Sequence, residues 1–197
     1  GYAFTALGYL SSWQGGIEQS DYDTLAEKYT PDKDLSAFVN YGATAIKYLD
    51  DCTQEEIKQE IMDNGSIYAA YSHSPYYENN DRTAYFCPQG SPKSTGHAIA
   101  IVGWDDNYSK ENFGTYQPSS DGAWLIANNY GSDYGDDGYF WISYEEPTLT
   151  EFYSFKAASA STYDNAYQYD GFGWGNAISS GNTSTLAANI FTANTDY

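Results

Sequence analysis

The sequence predicts an α+β fold, with helical patterns in the first third of the chain and strand patterns from residue 96 onward. Three observations carry this. Apolar residues recur at spacings of three and four over residues 2–13, a capping box opens a second periodic segment at Thr53, and from Gly96 short apolar runs alternate with Gly-, Asn- and Asp-rich turns.

In the first element Ala3, Phe4, Ala6, Leu7, Leu10 and Trp13 form one face of an amphipathic helix, which Gly15 and Gly16 end. Residues 17–50 are polar and read mostly as loop, with a short helix at 23–28 and a strand near 44–48. Thr53 followed by Glu56 is the capping box, Ile57, Ile61 and Met62 form the apolar stripe, and Asn64-Gly65 closes the helix. A strand over 66–72 places Ile67, Ala69 and Tyr71 on one face. Further strands are expected at 97–104, 123–128, 139–144 and 151–156, with a polar connection over 105–121. Residues 158–164 read as a linker, and 165–197, with a strand-like run at 186–192, as the start of a second β domain too short to stand alone.

Eight Lys and Arg against 27 Asp and Glu give 8 − 27 = −19, which excludes binding to a nucleic-acid backbone. High net charge is also a mark of disorder, but 5 Trp, 22 Tyr and 9 Phe argue for a packed core. No apolar run approaches the ~20 residues of a membrane span, and the first residues do not form a signal peptide. The two cysteines, Cys52 and Cys87, form no CxxC, and a disulfide between them is left open. His73 and His97 are not at zinc spacing, and no metal or organic cofactor is expected. The run 133–138 begins like a calcium loop, but Gly135 and Tyr144 stand where ligands would be needed, so it reads as a turn. His73, between Ser72 and Ser74, reads as a solvated loop residue, and 76–81 as an exposed polar loop, with the lining of a substrate groove as its alternative reading.

The strongest chemical signal is a His that opens one buried strand and an Asn that ends the next. An Asn side-chain oxygen can accept from one imidazole N–H and leave the other ring nitrogen facing a nucleophile. Gly96-His97-Ala98-Ile99-Ala100-Ile101-Val102-Gly103-Trp104, then Trp124-Leu125-Ile126-Ala127-Asn128-Asn129-Tyr130-Gly131, then Gly135-Asp136-Asp137-Gly138-Tyr139-Phe140 resemble the carboxy-terminal half of papain-like cysteine peptidases. The likeness is greatest to the bacterial surface type that continues into a lectin-like domain. Upstream, Tyr9-Leu10, Trp13-Gln14-Gly15-Gly16 and the segment 55–71 are similar to the same family, so the resemblance covers residues 1–157. It implies a papain-like fold, incomplete, made of a strand-rich barrel-like lobe and a few helices. It also implies a polypeptide substrate, acyl transfer by a Cys–His–Asn constellation with His97 and Asn128 as its catalytic members, and an extracellular or cell-surface location. Gly96 is expected to let substrate approach closely, and Tyr130, where the family usually has Trp, to cover the Asn–His hydrogen bond and line the substrate site.

The nucleophile departs from the family pattern. The family's Cys lies about 130–150 residues before the His and Asn, and 96 residues precede His97. The segment carrying it is therefore expected to be missing, with the chain alone inactive. Neither Cys52, just before a capping box, nor Cys87, in a Cys-Pro-Gln-Gly loop, opens a helix that would stabilise a thiolate. A second alignment puts Gly1 at the cysteine position, but leaves too short a path to His97. Without the family's central helix, apolar surface at Ala98, Ile99 and Ile101 is expected to be open, favouring a homodimer or a domain-swapped assembly through residues 165–197. The alternative function is a non-catalytic surface adhesion or carbohydrate- or peptide-binding module, with Trp174 as a stacking residue.

Overall fold

Runs rich in β-branched and aromatic residues, three before residue 90 and four after residue 95, pair into a seven-stranded sheet. The computed structural model describes residues 3–13, 16–18, 20–21, 40–91, 96–162, 164 and 192. Its helices are α1 (Ala3–Ser11) and α2 (Gln54–Asn64), and its strands are β1 (Tyr41–Tyr48), β2 (Ile67–Ser72), β3 (Ala84–Tyr85), β4 (Gly96–Asp105), β5 (Ala123–Ala127), β6 (Tyr139–Ser143) and β7 (Thr150–Ser159). The sheet order is β1-β7-β2-β4-β5-β6-β3. Antiparallel pairing sets Tyr71 opposite His97 on β2 and β4, Ile101 opposite Ile126 on β4 and β5, and Ile126 opposite Phe140 on β5 and β6. This is the α+β arrangement with a strand-rich sheet and few helices.

The chain divides into two units, one of residues 1–46 and 155–197, the other of 47–154. The first holds α1, most of β1 and the second half of β7, where Thr44 Oγ1 donates to the Lys156 carbonyl and Ala160 N–H to the Asn40 carbonyl. Residues 158 and 159, assigned by sequence to a linker, thus continue β7, since small Ala and Ser side chains do not interrupt a ladder. The expected helix at 23–28, the strand at 186–192, the second β domain and Trp174 lie outside the described residues.

The second unit carries the core. Period-two alternation turns Ile67, Ala69 and Tyr71 of β2, Ile99 and Ile101 of β4, Trp124 and Ile126 of β5, and Phe140 and Ile142 of β6 to one face, where α2 adds Ile57 and Ile61. Ile99 and Ile101 are buried in this cluster, at 5% and 0% exposure, which corrects the expectation that they form an open apolar patch. Only Ala98, on the opposite face, is exposed among the three.

On α2 the capping box forms as read: Glu56 N–H donates to Thr53 Oγ1, and the Glu56 carboxylate accepts from Thr53 N–H at 2.8 Å. Met62, expected in the apolar stripe, is exposed, because it lies about 100° around the helix from Ile61. Lys58 is buried instead. Its ammonium meets Asp106 at 2.6 Å and Glu55 at 2.8 Å and lies over the rings of Trp104 and Tyr144. β3 had no sequence reading, and the 3₁₀ turns at Pro75–Tyr77, Lys110–Asn112 and Ala160–Thr162 fall in or beside stretches read as loop, polar connection and linker.

Candidate active site

Three core-facing columns run out at the same end of the sheet, and each ends in a polar group. The column 101-99-97 of β4 ends in His97 and the column 124-126-128, past the end of β5, in Asn128. The column 67-69-71-73, past the end of β2, ends in His73. Apolar residues behind these three positions fix the backbone, so the polar ends are held by the packing of the core.

His97 Nε2 lies 2.9 Å from Asn128 Oδ1. The same Oδ1 accepts the Asn129 N–H at 2.9 Å, which only an oxygen can do, so the amide orientation is fixed. It follows that Nε2 carries the proton and Nδ1 of neutral His97 is the free base. Asn128 is held further by its own N–H to the Gly138 carbonyl. Its buried Nδ2 has no partner among the described residues. Tyr130 stacks on the His97 ring, with centroids 4.7 Å apart and planes at 18°, and is half-exposed. It covers a face of the imidazole. Gly96 is exposed opposite Ser72, and among the described residues a Cβ there would meet no neighbour.

His73, read from sequence as a solvated loop residue, is half-buried beside His97, with ring centroids 5.8 Å apart. Its Nδ1 is 3.0 Å from the Tyr71 hydroxyl. Burial pushes the Tyr71 phenol well above its ordinary value, so it stays a donor and His73 Nδ1 accepts. The other nitrogen, Nε2, then carries hydrogen and faces Glu78 Oε1 at 3.5 Å. Glu78 Oε1 also accepts the Tyr134 hydroxyl at 2.6 Å. Burial lowers the His73 pKa below its ordinary value, against the pull of Glu78 and with a further push from His97, so His73 is neutral at pH 7. Next to these groups is a cleft of about 570 Å³, lined by His73, Glu78, Arg82, Tyr130, Asp133 and Tyr134. The period-two column through Tyr71 was the sequence signal that could have found His73; Glu78 lies in the run 76–81, for which the lining of a groove was the second reading.

Both cysteines are free thiols. Cys87 is buried in the core, its Sγ faces the Pro88 carbonyl, and burial pushes its pKa up, the reverse of an activated thiolate. Cys52 is half-buried against the same core in the turn before α2. The turn over 133–138 depends on Gly135 and Gly138 at φ +61° and +88°, and a Cβ on Gly135 would collide with the Tyr139 carbonyl. Among the described residues no group of three His, Cys, Asp or Glu is arranged to hold a metal.

Comparison with known proteins finds relatives of one family. The pattern described as papain family cysteine protease matches residues 1–159. The solved clostridial cysteine protease Cwp84, in a variant form after propeptide cleavage, superposes with a TM-score of 0.69 at 36% identity, covering 81% of this chain and 41% of that one. The cysteine protease and lectin-like domains of Cwp84, a surface layer associated protein of Clostridium difficile, give 0.66 and 36%, covering 78% of this chain and 36% of that one. Cathepsin B-like cysteine proteinase 3 of Caenorhabditis elegans is 33% identical over 124 residues, 63% of this chain and 28% of that protein. The chain therefore spans between about a quarter and two fifths of the length of these relatives.

Proposed function

Because the chain belongs to the papain family of cysteine proteases, we propose that residues 47–154 supply the acid–base half of a cysteine peptidase that hydrolyses peptide bonds in polypeptides. The observation that carries this reading is the 2.9 Å bond from His97 Nε2 to an Asn128 amide whose orientation is fixed. With Nε2 tied to Asn128, His97 Nδ1 takes the proton of a nucleophilic thiol. The thiolate attacks the peptide carbonyl, and the resulting imidazolium, oriented by Asn128, returns the proton to the leaving amine. Water then attacks the acyl-enzyme, with Nδ1 again as base.

Neither thiol of this chain is the nucleophile in this reading. Cys87 is sealed in the core with a raised pKa, and Cys52 sits in the turn before α2. The reacting thiol comes from polypeptide outside residues 1–197, and these residues alone do not hydrolyse peptides. The likeness to Cwp84, which is surface-layer associated, supports an extracellular or cell-surface setting. No helix among the described residues is long and apolar enough to cross a membrane.

The test is hydrolysis of a peptide mixture by the polypeptide expressed with the flanking sequence its gene encodes. His97→Ala should lower kcat/KM by about 10²–10⁴-fold, the ordinary worth of a general acid–base group. Asn128→Ala should lower kcat with KM nearly unchanged, because the amide acts through the imidazole. Thiol-dependent hydrolysis that survives His97→Ala, or that disappears with Cys52→Ala, would overturn the assignment. Peptide binding without hydrolysis would favour the non-catalytic binding module instead.

A further inference from the structure

We infer that the cleft beside His97 is a specificity site for a basic side chain of the peptide, with Glu78 as its charge partner, an inference that rests on the peptidase reading above. The Glu78 side chain is 7% exposed and lines the cleft. Its Oε1 is committed to the Tyr134 hydroxyl and faces His73 Nε2, while Oε2 takes no hydrogen bond from any described residue. A nearly buried carboxylate with one open oxygen on a cleft wall asks for a donor from the occupant of that cleft.

The other charges in the cleft do not alter this. Arg82 and Asp133 are both exposed, so their opposite charges are screened by solvent and nearly cancel. Arg82 is also partly committed, since Nη2 donates to the Asp133 carbonyl at 3.2 Å and the guanidinium lies 5.2 Å from the Tyr134 ring centroid. His73 is neutral at pH 7, so it adds polarity but no charge. What remains is one carboxylate in low-dielectric surroundings, where a charge counts for more than at the rim. The stacked and edge-on rings of Tyr130 and Tyr134 supply apolar surface for the methylene stem of a lysine or arginine.

The site's position makes it relevant to cleavage. The His73 and His97 rings are 5.8 Å apart, and an extended peptide advances about 3.3 Å per residue. The residue that enters the cleft is therefore within about two positions of the bond attacked at His97. Selection by Glu78 would thus choose which bond is cut.

The experiment uses the 197-residue chain and a pair of blocked pentapeptides, Ala-Ala-Lys-Ala-Ala and its norleucine counterpart. The chain has two histidines, so the imidazole Cε1–H protons give two NMR signals, one reporting the His97 groove and one the His73 cleft. The lysine peptide should bind about tenfold more tightly, the worth of one charge-assisted hydrogen bond, and should shift both signals. The norleucine peptide should shift chiefly His97. Glu78→Gln should bring the lysine peptide to the norleucine affinity. Arg82→Gln, at an exposed and screened position, should tighten lysine binding by no more than about twofold. Equal affinities with the His97 signal shifting, or a Glu78→Gln variant that keeps the tenfold preference, would overturn the proposal and leave the peptidase reading intact. A fall in lysine affinity on Arg82→Gln would also count against it. If neither peptide shifts His97, the peptide groove itself is wrong, and the cleft assignment fails with it.

Discussion

Tyr130 stacks face to face on the His97 imidazole at 4.7 Å, where the family usually carries a Trp. An aromatic pair of this kind contributes roughly 0.5–1.5 kcal/mol beyond burial, and here that energy holds a ring whose free nitrogen, in the proposed peptidase reading, aims at a thiol. Tyr130→Ala should lower kcat/KM of the active polypeptide by about tenfold, through kcat more than KM, while Tyr130→Trp should retain or raise it. Unchanged kcat in the alanine variant would show that Asn128 alone orients the imidazole. At this scale the sequence was informative for residues that end an alternating strand within a recognisable motif. His97 and Asn128 could be read because each belongs to a run of core residues. His73 could not be read from its neighbours, since Ser72, Ser74 and Pro75 suggest solvent. Of the rings near it, Tyr71 is two residues away, while Tyr85, His97 and Tyr130 come from segments distant along the chain.

Elements differ in whether they build the site or only stabilise its support. The α2 capping box satisfies helix-end donors far from His97 in sequence, so Thr53→Ala should cost about 1 kcal/mol of stability without moving the His97 imidazole resonance. Gly135 is different. It has φ +61°, a Cβ would strike the Tyr139 carbonyl, and its turn leads to Gly138, whose carbonyl holds the Asn128 N–H. Gly135→Ala should cost roughly 1–3 kcal/mol and shift the His97 resonance as well. Thermal unfolding and the two imidazole signals, measured on both variants, separate the cases; a Gly135 variant with an unmoved His97 signal would show that the turn does not position Asn128. Most of these elements were legible: the capping box and the alternating strands appear in the sequence because their causes are local. The two-residue β3 was not, because its parallel pairing with Trp141 and Ile142 of β6 is set by the core rather than by its own pattern. The burial of Lys58 was missed for a related reason, since one of the two carboxylates that pair with it, Asp106, lies 48 residues away.

Over the whole molecule, 19 unbalanced negative charges act against a folded state that concentrates them. At 0.01 M salt the Debye length is about 30 Å and the repulsion spans the molecule; at 0.15 M it is about 8 Å and mostly gone. The melting temperature at pH 7 should therefore rise between these two salt concentrations. At low salt it should also rise as the pH is lowered toward 5, because protonation begins to remove excess charge. Specific contacts act in the opposite direction at lower pH. Burial alone would raise the Glu145 pKa, but hydrogen bonds from the hydroxyls and N–H groups of Ser119 and Ser120 outweigh it and bring it to about 2 from 4.5. Glu56, Glu60 and Asp106 are lowered as well, by the Thr53, Lys47 and Lys58 contacts respectively. A carboxylate with a depressed folded pKa contributes stability above its unfolded value and loses it as the pH falls through the folded one. Glu146, raised by burial, works the other way and offsets part of the loss. Stability at 0.15 M salt should thus fall from about pH 4.5 toward pH 2, with Glu145 responsible for the lowest part of the slope. Glu145→Gln should be less stable than the parent at pH 7 and flatter between pH 4.5 and 2. A variant that loses stability in acid as steeply as the parent would remove Glu145 from this account, and a melting temperature indifferent to salt at pH 7 would remove the net-charge term.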